Sequence, residues 1–323
     1  MPTTPRWPEN DSNPSNKEMS PGRFDVFLFA DYSGAASESA QREAIALWRQ
    51  ERGGAPRKVP GPFTRESLRE ALLEELTAAT RRGRRVLFGI DHQWSWPRDL
   101  WRAAGLAGLP WRRALSRLVA GGRSRPPLGP PDTFAAAFNA FAGSGIFHCR
   151  VKGLARRYGV PAASDWTGVA TRLTERRMPG AKPAHRLGGT GAVAGQTLHG
   201  LVHLHRLLGD AAAAGAPVLA WPFDAIADDG ASHVGVEVYP SFCRPPSVPK
   251  SHDADARACC LWASHADLRT ALDLGAAPRS VREASRLEGW ILGAPVSGAA
   301  AGPSPRRGRG GSRGSGRRPR TDA

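Results

Sequence analysis

Four acidic residues carry the chemistry that can be read from this chain: Asp31, Asp91, Glu237 and Asp255. Three of them end or interrupt an apolar run. Val26 to Ala30 are apolar without a break and stop at Asp31, after which Ser33 and Gly34 supply a turn. Residues 85–90, Arg-Val-Leu-Phe-Gly-Ile, repeat the pattern and stop at Asp91. Residues 234–240, Val-Gly-Val-Glu-Val-Tyr-Pro, hold Glu237 among apolar neighbours. The fourth acid, Asp255, lies in a helical stretch that also carries His252 and Asp253.

A lone charge at the mouth of a buried strand is costly, so each such carboxylate is expected to be paired, hydrogen-bonded or holding a metal. Acids gathered on one edge repel unless a cation joins them. Oxygen ligands select hard divalent ions, Mg²⁺ or Mn²⁺. Such ions serve an in-line phosphoryl displacement, activating water on one side and stabilising the leaving oxygen on the other. The reaction this predicts is phosphodiester hydrolysis. Asp253 and Asp255 are two residues apart, so they point roughly 200° apart around a helix. They flank its small-residue face on opposite sides and do not share one ligand in the same way. His252 and Asp253 are candidates for proton transfer. The competing reading is that these acids are unrelated caps of turns and helix ends.

The elements that position them can be read in outline. An apolar run with no alternation is a strand buried on both faces, the centre of a sheet covered by helices. Residues 42–50 suggest a second strand and 55–59 a third, turned back by Arg52-Gly53-Gly54 as an antiparallel hairpin; a helix over 37–52 competes. Thr64 is an N-cap, and Leu68, Leu72, Leu73, Leu76 and Ala79 recur at helical spacing up to Arg82-Gly83. Strand, helix, strand favours a parallel pair, and parallel strands place their carboxyl ends on one edge. Asp31 and Asp91 then share that edge. Residues 98–190 read as a helical insertion whose basic rim is 172–186. Helices are expected over 194–208, 251–263, 268–274 and 281–293, with strands over 216–221 and 234–238.

Residues 1–22 are polar, rich in Pro, Asn and Ser, and read as a disordered leader; residues 297–323 read as a disordered Arg/Gly-rich tail. That leaves 23–296 as one domain. The 323 residues are 41% hydrophobic, enough for a core, with no apolar run of membrane length and no secretory signal. The four cysteines form no CxxC pair and read as reduced thiols, so a cytoplasmic protein is expected. A net charge of +16 points to nucleic acid as a partner, although a GC-rich genome, which loads proteins with Arg, raises the charge as well. Trp94, Trp96, Trp101 and Trp111 are either base-stacking or core residues. His199 and His203, at i and i+4, lack a third zinc ligand at a telling spacing and read as a packed or solvated helix face.

Asp-Tyr-Ser-Gly at 31–34, Gly-Ile-Asp at 89–91, Gln-Thr-Leu-His-Gly at 196–200, Glu-Val-Tyr-Pro-Ser at 237–241, Asp-Ala-Arg-Ala at 255–258 and Glu-Gly-Trp-Ile at 288–291 resemble, in order, the domain-of-unknown-function 429 family. Members of that family are predicted nucleases of ribonuclease-H-like fold. The resemblance spans residues 24–294. It implies an α/β domain: a mixed sheet whose first three strands are antiparallel, with helices on both sides. It also implies Asp31, Asp91, Glu237 and Asp255 as the acids of the site. One departure is His92-Gln93-Trp94, where the family tends to have a small or apolar residue and proline. Two other functions share parts of these features. An actin- or sugar-kinase-like ATP-dependent phosphotransferase would use residues 31–34 and 188–191 against phosphates. A non-catalytic nucleic-acid-binding protein would use the basic rim and tail.

Overall fold

The computed structural model describes residues 24–162, 171–189, 192–226 and 232–297. The expected leader and all but the first residue of the expected tail lie outside them.

Six strands form one mixed sheet. β1 (Val26–Asp31) is followed by α1 (Glu38–Ala44), β2 (Ala46–Glu51) and the short β3 (Arg57–Lys58). α2 (Arg65–Arg81) then leads to β4 (Val86–Ile90). β1, β2 and β3 make an antiparallel meander, and β4 pairs with β1 in parallel. The expected strand over 42–50 is corrected: Ser37 caps a short helix that ends at Ala44, and only the residues beyond it are extended. Both competing readings held part of the segment. α2 starts as expected, with Thr64 and Ser67 closing a reciprocal capping box.

The next stretch is the insertion. It contains α3 (Arg98–Ala103), α4 (Trp111–Ala120), α5 (Pro131–Ala142), β5 (His148–Cys149), α6 (Lys152–Tyr158), α7 (Leu173–Arg177) and β6 (Arg186–Leu187). β5 and β6 pair in parallel as a second, two-stranded sheet that the sequence reading lacked. The chain returns through α8 (Ala194–Ala213), β7 (Val218–Ala220) and β8 (His233–Glu237). It ends in α9 (Pro240–Cys243), α10 (His252–His265), α11 (Leu268–Leu272) and α12 (Arg279–Glu288). Strand order is β3-β2-β1-β4-β8-β7, with β8 parallel to both β4 and β7.

Side chains alternate along a strand, so a run apolar at every position feeds two cores. Val26, Leu28, Ala30, Val86, Phe88 and Ile90 pack on the face covered by α2 and α8. Phe27, Phe29, Leu87, Val234 and Val236 pack on the other face with α10 and α12. Gly89 is glycine because a β-carbon there would lie 2.4 Å from the Phe29 ring and 2.9 Å from Val238. Trp94, Trp96, Trp101 and Trp111 are all buried in the first core, so they are packing residues and not a base-stacking platform. No helix among the described residues is long and apolar enough to cross a membrane.

Candidate active site

Ala30 pairs in register with Ile90 across the parallel strands β1 and β4. The next residues, Asp31 and Asp91, therefore leave the sheet side by side and toward the same face, the one covered by α10. Asp31 is buried and Asp91 half-buried. The backbone N–H of Tyr32 donates to Asp91 Oδ1 at 2.6 Å. His252, at the start of α10, puts Nδ1 3.3 Å from Asp31 Oδ1.

Burial raises Asp31 above the usual aspartate value, with the His252 contact opposing it. Burial raises Asp91 further, and the Asp31 charge adds to the effect. His252 is raised in turn, chiefly by its hydrogen bond to Asp31.

The turn that carries Asp31 is held from two sides. Arg65 of α2 donates to the carbonyls of Ser33 and Ala35, the latter at 2.6 Å. Gly34 lies against the first turn of α8, where a β-carbon would meet the Gln196 nitrogen at 2.7 Å. Gln196 itself donates to the Asp91 carbonyl. The loop after Asp91 is tied similarly: Gln93 donates to the Lys182 carbonyl, Thr197 of α8 donates to Gln93, and the Trp94 N–H donates to Glu237.

Glu237 stands on the other face. It pairs in register with Ile90, one residue short of Asp91, and one position of offset turns a side chain to the opposite face. There Arg172 meets it with two charge-assisted hydrogen bonds, Nη1 to Oε2 at 2.7 Å and Nη2 to Oε1 at 2.5 Å. Arg172 also donates to Glu175 at 2.7 Å and to the Glu288 carbonyl. The expected basic rim thus begins with a fully buried arginine, which is a correction: the cation is consumed inside. Asp255 reaches the same cavity as the acid pair, yet its Oδ1 accepts from Arg244 Nε at 2.5 Å. Asp253 faces away, toward Lys58 at 2.8 Å and the Trp48 indole at 3.3 Å. It lies outside the cavity, and its expected part in proton transfer is dropped.

The four acids Asp31, Asp91, Glu237 and Asp255 line one cavity of about 520 Å³. Lys182, Lys250 and His252 stand at its rim. Among the described residues, no three of His, Cys, Asp and Glu are arranged to hold a metal ion. His199 and His203, both pushed down to about 4 by burial, are part of no such group. A hard divalent cation such as Mg²⁺ is usually held by one or two carboxylates, with waters and substrate phosphates completing the shell. Asp31 and Asp91 fit that role, being adjacent carboxyls with no arginine or lysine bonded to them among the described residues. Glu237 has both oxygens on the Arg172 guanidinium and Asp255 has one on that of Arg244, and they do not fit as they stand. Arg172, Arg244 and Gln93 are site residues the sequence reading missed. The Arg172-x-x-Glu175 spacing was the available signal for the first; the other two had none.

Comparisons of the chain with protein-family models, with curated proteins and with solved structures find no match.

Proposed function

We propose that this chain is a divalent-metal-dependent phosphodiesterase or nuclease of ribonuclease-H-like fold, with Asp31 and Asp91 as its cation-binding pair. The observation that carries the reading is the pair of acids at the carboxyl ends of adjacent parallel strands, where the Asp31 charge adds to the rise at Asp91. The antiparallel meander continued by parallel strands agrees with what the family resemblance implies.

A Mg²⁺ or Mn²⁺ ion held there would polarise the phosphoryl group and acidify water. The chain's own residues do the rest. Lys182 and Lys250, exposed at the rim, attract an anionic substrate and orient it over the acids. His252, half-exposed and made more basic by Asp31, is the group able to hand a proton to the leaving oxygen. Arg172 and Arg244 hold Glu237 and Asp255 in place, fixing the cavity wall. With a net charge of +16, nucleic acid is the substrate class the chain favours.

The test is a titration of the purified chain with Mn²⁺ and Mg²⁺, followed by melting and by cleavage of labelled single-stranded, duplex and hybrid substrates. A metal-induced rise in Tm together with metal-dependent cleavage of at least one substrate supports the reading. Absence of both overturns it.

A further inference from the structure

Asp31 and Asp91 are each followed by a residue whose side chain turns to the opposite face of the sheet, and those two side chains meet. The Tyr32 and His92 rings stand edge to face, with centroids 4.9 Å apart. Both are buried, at 3% and 1% exposure. Tyr32 Oη and His92 Nε2 make no hydrogen bond, and neither does Nδ1 of His203 on α8. All three residues line one small, half-open pocket of about 10 Å³, walled by leucines of α2 and α8, by Ile90 and by Arg65 and Arg69. Polar atoms without a partner, on three side chains that line one pocket, call for a polar occupant. A space of this size is about that of a single water molecule.

We propose that this cavity is a binding site for one ordered water, held by Tyr32 Oη, His92 Nε2 and His203 Nδ1. The hydrogen count closes. His92 Nδ1 lies 3.0 Å from the Gln93 carbonyl, which can only accept, so Nδ1 carries the proton and Nε2 presents a lone pair. Nδ1 of His203 lies 3.3 Å from a Glu66 carboxylate oxygen without forming a hydrogen bond to it, and the nearby negative charge favours the tautomer with the proton on Nδ1, free to point at the water. The water accepts from the Tyr32 hydroxyl and from His203, and donates to His92. Three hydrogen bonds are the usual number for a buried water. A cation is disfavoured, because Arg65 and Arg69 line the same cavity. The water joins the turn after β1, the loop after β4 and the middle of α8. Those segments also set the position of Asp31, Asp91 and the cavity wall above them.

A high-resolution crystal structure of the full chain tests this directly, with Tyr32→Phe and His203→Ala solved and melted alongside. In the wild type, a density peak is expected about 2.6–3.2 Å from both Tyr32 Oη and His92 Nε2. Tyr32→Phe removes one partner without changing shape, so the peak should weaken or vanish and Tm should fall by a few degrees. His203→Ala, at a partly exposed position, should displace or disorder the peak. A wild-type cavity without density overturns the proposal. So does a Tyr32→Phe protein that melts with the wild type.

Discussion

Arg172 grips Glu237 with two guanidinium nitrogens, at 2.7 and 2.5 Å, and neither residue is appreciably exposed. The pair fastens the insertion to the end of β8. It also explains how an acid survives inside an apolar strand: its charge is met by one permanent cation and by the Trp94 N–H at 3.0 Å.

Removing one partner of such a pair strands the other charge in the core. Glu237→Gln is therefore expected to destabilise the metal-free chain by about 3–5 kcal/mol. The double variant Glu237→Gln/Arg172→Met should lose clearly less than the sum of the two single variants. Urea denaturation in the presence of a chelator measures all three. Were Glu237 only a metal ligand, its substitution would leave the metal-free chain as stable as before.

The acid pair has a pH signature. Asp31 and Asp91 are both raised above the ordinary value of 3.8. An acid raised in the folded state binds its proton more tightly there than when unfolded. Its contribution is full below the unfolded pKa and is lost as pH rises through the folded one. His252, raised above 6.5, acts with the same sign at higher pH. Without divalent ions, the Tm of wild type minus that of Asp91→Asn should fall as pH rises from 3.8 through the raised values. A pH-independent difference would show that Asp91 is not strained by charge.

Asp253 serves as the control. Its ion pair with Lys58 is half-exposed on both sides, and such pairs contribute about 0–1 kcal/mol. Asp253→Asn should melt close to wild type and keep any cleavage activity. A loss of cleavage as large as that of Asp91→Asn would mean that Asp253 reaches the substrate.

Gly34→Ala forces a β-carbon to 2.7 Å from the Gln196 nitrogen, and backbone must yield. Overpacking of this kind costs about 1–3 kcal/mol. Because the contact joins the Asp31 turn to α8, the variant should lose activity out of proportion to its stability at a temperature where it remains folded. Melting and cleavage of the same preparation decide it.

The strands that matter were legible because burial on both faces leaves an unbroken apolar run, as in Val26 to Ala30 and Val86 to Ile90. The edge shared by Asp31 and Asp91 followed from the hairpin and single long helix expected between two such runs. The register of β8 was not legible. One residue of offset sends Glu237 to the opposite face, and no local pattern encodes which residue pairs with Ile90. Arg172 was misread for a related reason. Among so many arginines, composition cannot mark the one that is buried, and its partner Glu237 lies far off in sequence. The split of 37–51 into helix and strand was obscured because Ala44, Ile45, Ala46 and Leu47 suit either state.

The most direct test of the central claim is Asp31→Asn, measured twice: a melt in chelator and a cleavage assay with Mn²⁺. The substitution keeps shape and removes one charge from a repelling pair. The account predicts a metal-free Tm equal to or above wild type, together with a fall in metal-dependent cleavage of orders of magnitude. A variant that is destabilised by about 0.5–2 kcal/mol, as on loss of a turn or helix cap, and that still cleaves like wild type would contradict it.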